Sequence, residues 1–135
     1  MNIPDSVTGG KCQKLPQYLE TIRRTKVCVS PWGYGEWCFR DFEAYLSQSV
    51  LIKPRTDFVK MLPDIFNKSE FFYLECEPDL SDLSQVVDSA LSRFEELEPK
   101  LAQNRKNILE FMNPTKLASN FHKAVLDSLS EYQSS

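Results

Sequence analysis

A loop and the segment after it, between Ser30 and Pro54, carry the residues best suited to chemistry. Gly33 and Gly35 flank Tyr34, and glycine permits backbone angles that let a ligand approach the main chain closely. The first amides of the helix predicted to follow have no partner inside it, and the helix dipole adds partial positive charge there. This pattern favours a site for a phosphate or sugar oxygen, with a plain turn as the alternative.

Charged side chains recur along the predicted helix at a spacing that puts them on one side. Glu36, Arg40 and Glu43 fall at i, i+4 and i+7, so they share one stripe. A guanidinium can bind a phosphate through two parallel hydrogen bonds, and a carboxylate can accept hydrogen bonds from a pair of ribose hydroxyls. The alternative is a surface ladder of ion pairs, each worth about 0.2–0.5 kcal/mol. Lys53, at the end of the next apolar run, could face the same anion.

The hydrophobic pattern predicts the elements that must position these residues. Residues 26–30 and 49–52 are short apolar runs rich in β-branched side chains, and the helix between them is predicted over 35–48. A helix between two buried strands predicts a right-handed crossover and a parallel pair. Aromatic residues predict a third strand over 70–76.

Helices account for most of the remaining chain. They are predicted over 15–25, 79–97 and 98–112, and from Asn113-Pro114 onwards, where Asn is the cap and Pro takes the first helical position. The fold class is therefore α/β: a Rossmann-like, three-layer domain with a small parallel sheet of about three strands, flanked by helices and a helical C-terminal tail. Residues 1–14 are predicted to be irregular, and 15–135 to form a single domain.

Charge and composition argue against several classes of protein. The net charge is −3. Residues 1–68 carry 10 basic and 7 acidic groups (+3), whereas residues 69–135 carry 6 basic and 12 acidic groups (−6). There is no dense basic patch for nucleic acid and no apolar run that predicts a membrane segment or signal peptide, so a cytoplasmic location is the default expectation. The cysteines lack the spacing of a metal site, and we expect free thiols and no metal.

The stretch between Ser30 and Pro54 resembles a known family. Three segments carry the resemblance: SPWGYGE from Ser30, RDFEA from Arg40, and VLIKP from Val50. They are similar to the C-terminal half of glycosyltransferases with two Rossmann-like domains (the GT-B fold), in the group-1 and exostosin-like branches. In that family this half binds the nucleotide-sugar donor, so the resemblance implies a donor-binding domain for glycosyl transfer.

The resemblance also implies roles for individual residues. The glutamate before alanine, Glu43, would hold the nucleotide ribose, and Glu36 is similar to the first glutamate of the paired-glutamate motif. Glu36 and Arg40 are the expected catalytic residues. The donor would be contacted by six residues: Gly33, Tyr34, Gly35, Arg40, Glu43 and Lys53. The donor is a substrate, and we expect no cofactor and a reaction independent of metal.

Full-length enzymes of this family are much longer than 135 residues. The expected partners are therefore the nucleotide-sugar and an N-terminal GT-B half, which would supply the acceptor site from the same or another chain. An alternative is a non-catalytic interaction or regulatory module, or a truncated, inactive paralogue. Gln48 favours that alternative, because the family commonly has glycine there and a larger side chain would crowd the donor.

Overall fold

The computed structural model describes residues 14–32, 37–55 and 64–134. Its strands are β1 (Val27–Val29), β2 (Val50–Pro54) and β3 (Leu74–Cys76). Its helices are α1 (Leu15–Arg24), α2 (Phe39–Leu46), α3 (Leu83–Ser92), α4 (Phe94–Phe111) and α5 (Pro114–Ser134). The predicted α/β class, with three parallel strands flanked by helices and a helical C-terminal tail, is confirmed. The irregular segment predicted over 1–14 lies outside the described residues, apart from Lys14.

The sheet has the order β1-β2-β3, and both pairings are parallel. Val27 pairs with Val50 at the start of β1, and Ile52 pairs with Leu74 at the start of β3. Every residue of the central strand β2 is buried, as expected for a parallel strand covered on both faces. The predicted third strand was too long: residues 70–73 lead into β3 without joining the ladder.

Alternating side chains of β2 divide the core into two clusters. Leu51 packs with Cys28 beneath Ala44 and Tyr45 of α2. On the other face, Val50 and Ile52 pack against Ala90 of α3 and Leu97 and Leu101 of α4. Lys53 follows Leu51 by two residues, so it points to the α2 face.

Helix α2 is shorter than predicted. It begins at Phe39 rather than at Gly35, because Cys38 is extended (φ −146°, ψ 172°) and its backbone N–H donates to the Asp41 carboxylate. An acidic side chain at the third helical position that accepts from the residue before the helix is one half of a capping box and fixes the helix start. Residues 33–36 lie outside the described part of the chain.

The predicted boundary between helices at residues 97 and 98 is wrong. The helical conformation is interrupted at Arg93 (φ −106°, ψ 13°), which separates α3 from α4, and α4 continues through Pro99. Pro99 removes one helical hydrogen bond, but the helix buries a continuous stripe that offsets this cost. The stripe consists of Leu97, Leu101, Asn104 and Ile108. Burial of that stripe therefore overrides the local preference of proline.

Helix α5 begins as predicted, with Pro114 at its first position and the Asn113 side chain accepting from the backbone N–H of Thr115 and Lys116. Its apolar side chains pack against little of the described protein. The exposed fractions are 39% for Leu117, 66% for Phe121, 42% for Val125 and 54% for Leu129. Within the described parts of the chain, no helix combines the length and apolar character needed to cross a membrane.

Candidate functional site

The first turn of α2 lies at the carboxyl edge of the sheet. The chain leaves β1 at Val29, and α2 returns antiparallel to the strands before β2 begins. A contact between Asp41, in the first turn, and Lys53, near the end of β2, fixes this placement. In open α/β sheets ligands bind outside the carboxyl ends of the strands, where the strand order reverses; the described order β1-β2-β3 contains no reversal.

A buried ion pair anchors that turn. The Lys53 ammonium lies 3.0 Å from Oδ2 and 3.2 Å from Oδ1 of Asp41, and the two side chains are 1% and 0% exposed. The ammonium also lies 4.9 Å from the centre of the Phe66 ring. Asp41 Oδ2 accepts a second hydrogen bond, 2.8 Å long, from the Cys38 backbone N–H. One carboxylate thus ties the start of α2 to the end of β2.

This pair gives Lys53 a different position from the one that the sequence predicted. Its ammonium points inward to Asp41 and is closed off from solvent, so it fixes the turn. Sequence reasoning missed Asp41, although two signals were present. Asp41 stands three residues after Cys38, the spacing of a capping carboxylate, and a lysine next to three apolar strand residues requires a buried partner.

Arg40 has the opposite environment. It is exposed, and it forms no ion pair or hydrogen bond with any other residue that the structure describes. Its positive charge nevertheless reaches the interior, since it lowers the pKa values of Tyr18 and Cys28 against the effects that raise them. An exposed guanidinium in the first turn of a helix, with no partner in the described part of the chain, is placed to bind an anion.

Glu43 lies one turn after Arg40 and is held by α1. The Tyr18 hydroxyl donates a 2.5 Å hydrogen bond to Glu43 Oε2, which is half-buried. Burial raises the pKa of Tyr18 to about 12, and the hydrogen bond and charge of Glu43 add to that shift. The phenol is therefore protonated at neutral pH and remains a donor. Sequence reasoning missed Tyr18, because nothing in its spacing indicates a partner 25 residues along the chain.

The structure therefore brings two of the predicted residues together. Arg40 is exposed and Glu43 is half-buried on adjacent turns of α2, and Lys53 lies beneath the helix. The other predicted residues, Gly33, Tyr34, Gly35 and Glu36, lie outside the described residues, so their roles remain predictions. Four cavities lined by described residues lie elsewhere in the molecule.

Gln48 lies at the opposite end of α2 from Arg40. It follows the C-terminal end of α2, about 12 Å along the helix axis from Arg40 at a rise of 1.5 Å per residue. Its backbone is left-handed, with φ of 59°, and its N–H donates to the Tyr45 carbonyl. Helices commonly end on a residue in this conformation, and glycine adopts it at the least cost.

Burial also changes the pKa of a thiol beneath the site. It raises the pKa of Cys28 to about 11, and the positive charge of Arg40 opposes part of that shift. Cys28, Cys38 and Cys76 are free thiols. Over residues 14–32, 37–55 and 64–134, no group of three or more His, Cys, Asp or Glu side chains could hold a metal ion.

Comparison of the chain with protein-family models, with curated proteins and with solved structures finds no match. The resemblance to glycosyltransferases therefore rests on the sequence motifs alone.

Proposed function

We propose that this protein is the donor-binding half of a GT-B-type glycosyltransferase, and that it binds a nucleotide-sugar at the carboxyl edge of its sheet. The observation that carries the proposal is the exposed Arg40 guanidinium in the first turn of α2, which has no partner among the described residues. An exposed arginine that has no partner among the described residues, at the carboxyl edge of a parallel sheet, supports a role in binding.

Each polar group has a distinct role in this proposal. Arg40 binds the diphosphate and neutralises the charge that builds on it as the sugar departs, which is electrostatic stabilisation of a leaving group. Glu43 accepts hydrogen bonds from the ribose hydroxyls through Oε1, since Oε2 already accepts from Tyr18. The Lys53–Asp41 pair acts indirectly, because it fixes the turn that presents Arg40. Glu36 remains the second catalytic candidate.

The proposal extends to partners and setting. Catalysis requires a second Rossmann-like half, in the same or another chain, which brings the acceptor and closes the cleft over the donor. The reaction uses the guanidinium and helix dipole for charge neutralisation and does not depend on a metal ion, and it takes place in the cytoplasm.

Calorimetry with a panel of nucleoside diphosphates and nucleotide-sugars tests donor binding. We expect at least one to bind at millimolar concentration or below, and Arg40→Ala to weaken binding about tenfold or more, the loss expected for a charge-assisted hydrogen bond. Arg24→Ala is the matched control, because Arg24 is an exposed arginine in the last turn of α1, at the other end of the sheet. Equal losses in the two variants, or no binding to the folded protein, would contradict the proposal.

A second candidate function is a non-catalytic interaction module. The exposed apolar stripe of α5, which includes Leu117, Phe121, Val125 and Leu129, favours it. Contiguous exposed apolar surface of this kind commonly marks a contact with another protein. If Phe121→Ser abolished association with a partner, and no nucleotide bound to the wild-type protein, this second function would replace the first.

A further inference from the structure

The Arg40–Glu43 spacing predicts an ion pair that the structure does not form. Residues three apart on a helix are neighbours, and an arginine and a glutamate at this spacing commonly pair. Two other pairs at the same spacing show that this chain forms such contacts: Arg23–Glu20 and Arg93–Glu96. The Glu43 carboxylate instead accepts from Tyr18, on a different helix.

The Tyr18 contact restrains the position of the Glu43 carboxylate. It uses Oε2 of Glu43 and holds the carboxylate half-buried between α1 and α2, whereas Arg40 is exposed. The phenol is protonated across the neutral range, as an unshifted tyrosine is, and burial raises its pKa further, to about 12. The hydroxyl can therefore donate to Glu43 throughout that range.

We propose that Tyr18 is a positioning residue that holds Glu43 away from Arg40 and so keeps the guanidinium free for the diphosphate. The inference rests on the proposed function, and it assigns a role to a residue outside the motifs. Without the phenol, Glu43 is free to swing towards Arg40 and compete with the ligand for the same N–H donors. Phosphate binding would then first require breaking an internal ion pair.

Tyr18→Phe tests this proposal with inorganic pyrophosphate as the probe. The variant keeps the ring and loses only the hydroxyl, so the packing of α1 is retained. An exposed ion pair contributes about 0.2–1 kcal/mol, so we expect the affinity for pyrophosphate to fall by a factor of about 1.4 to 5. The same substitution made in a Glu43→Gln background should cause no further loss, because no carboxylate is then present to capture Arg40.

A second readout separates this proposal from the function on which it rests. Without any ligand, Tyr18→Phe should shift the Arg40 Nε–H resonance in NMR spectra and slow its exchange with water, and Tyr18→Phe with Glu43→Gln should not. That change in the Arg40 resonance would support the positioning role of Tyr18 even if pyrophosphate failed to bind. In that case only the proposal of a donor site would be contradicted. An Arg40 signal that is unchanged in Tyr18→Phe, or an equal loss of affinity in both backgrounds, would overturn the role of Tyr18.

Discussion

Removing one member of the buried Lys53–Asp41 pair should destabilise the protein severely. Lys53→Met leaves the Asp41 carboxylate in a site where its side chain is 0% exposed, with only the Cys38 N–H as a described hydrogen-bond donor. Breaking a buried ion pair from one side costs about 3–5 kcal/mol, because the remaining charge is desolvated without compensation. A small domain has only about 5–15 kcal/mol of stability, so the loss should be obvious.

Two companion variants separate charge from packing. Asp41→Leu leaves the buried ammonium without its partner and the Cys38 N–H without its acceptor, so it should cost at least about 3–5 kcal/mol. Asp41→Leu combined with Lys53→Met removes both charges, and such replacements are often close to neutral. The double variant still loses the acceptor for Cys38, worth about 1 kcal/mol. It should therefore be more stable than either single variant.

Equilibrium unfolding in urea, followed by circular dichroism, measures these differences. A buried pair predicts that the losses in the free energy of unfolding are strongly non-additive, so that the double variant recovers most of the stability lost in either single variant. If Lys53→Met cost less than about 1 kcal/mol, as an exposed pair would, the pair would be solvated. Simple addition of the two single losses would show that each residue acts alone.

Three further predictions concern stability. Gln48→Gly should stabilise the protein by about 1 kcal/mol, because glycine adopts the left-handed backbone conformation without steric strain. Gln48→Ala keeps that strain and should not stabilise the protein. Equal melting temperatures for the two variants would contradict this. Asn104→Ala should lower the free energy of unfolding in urea by about 3 kcal/mol. The Asn104 side chain is buried, and it both donates to and accepts from the Phe72 backbone. A loss below about 1 kcal/mol would refute that role. Burial raises the pKa of the Cys28 thiol to about 11, so the thiol loses its proton at lower pH in the unfolded chain than in the folded protein. The free energy of unfolding should therefore fall between about pH 9 and 11. A Cys28→Ala variant whose stability falls as steeply would exclude the thiol as the cause.

The sequence was sufficient to predict the sheet. Short runs rich in β-branched residues separated by an amphipathic segment indicate parallel strands with a crossover helix, and β1, α2 and β2 follow that pattern. The start of α5 was equally clear, because an Asn-Pro pair supplies a cap and a first helical residue.

Features decided by tertiary contacts were missed. Helix α2 starts at Phe39 because the Asp41 carboxylate is held in place by Lys53, and the strand run alone does not identify that partner. Helix α4 passes through Pro99 because the apolar stripe that it buries outweighs the lost hydrogen bond. Tyr18 reaches Glu43 only after α1 packs beside α2, so local spacing held no signal for it.

The central claim is that the exposed side of the α2 first turn binds the diphosphate of a nucleotide-sugar. Titration of the isotopically labelled protein with nucleoside diphosphates, followed through its backbone amide resonances, tests it most directly. We predict saturable shifts concentrated at Phe39, Arg40 and Glu43, and their loss in Arg40→Ala. Shifts confined to the opposite edge around Arg24 and Gln48, or no saturable shifts in the folded protein, would contradict the account.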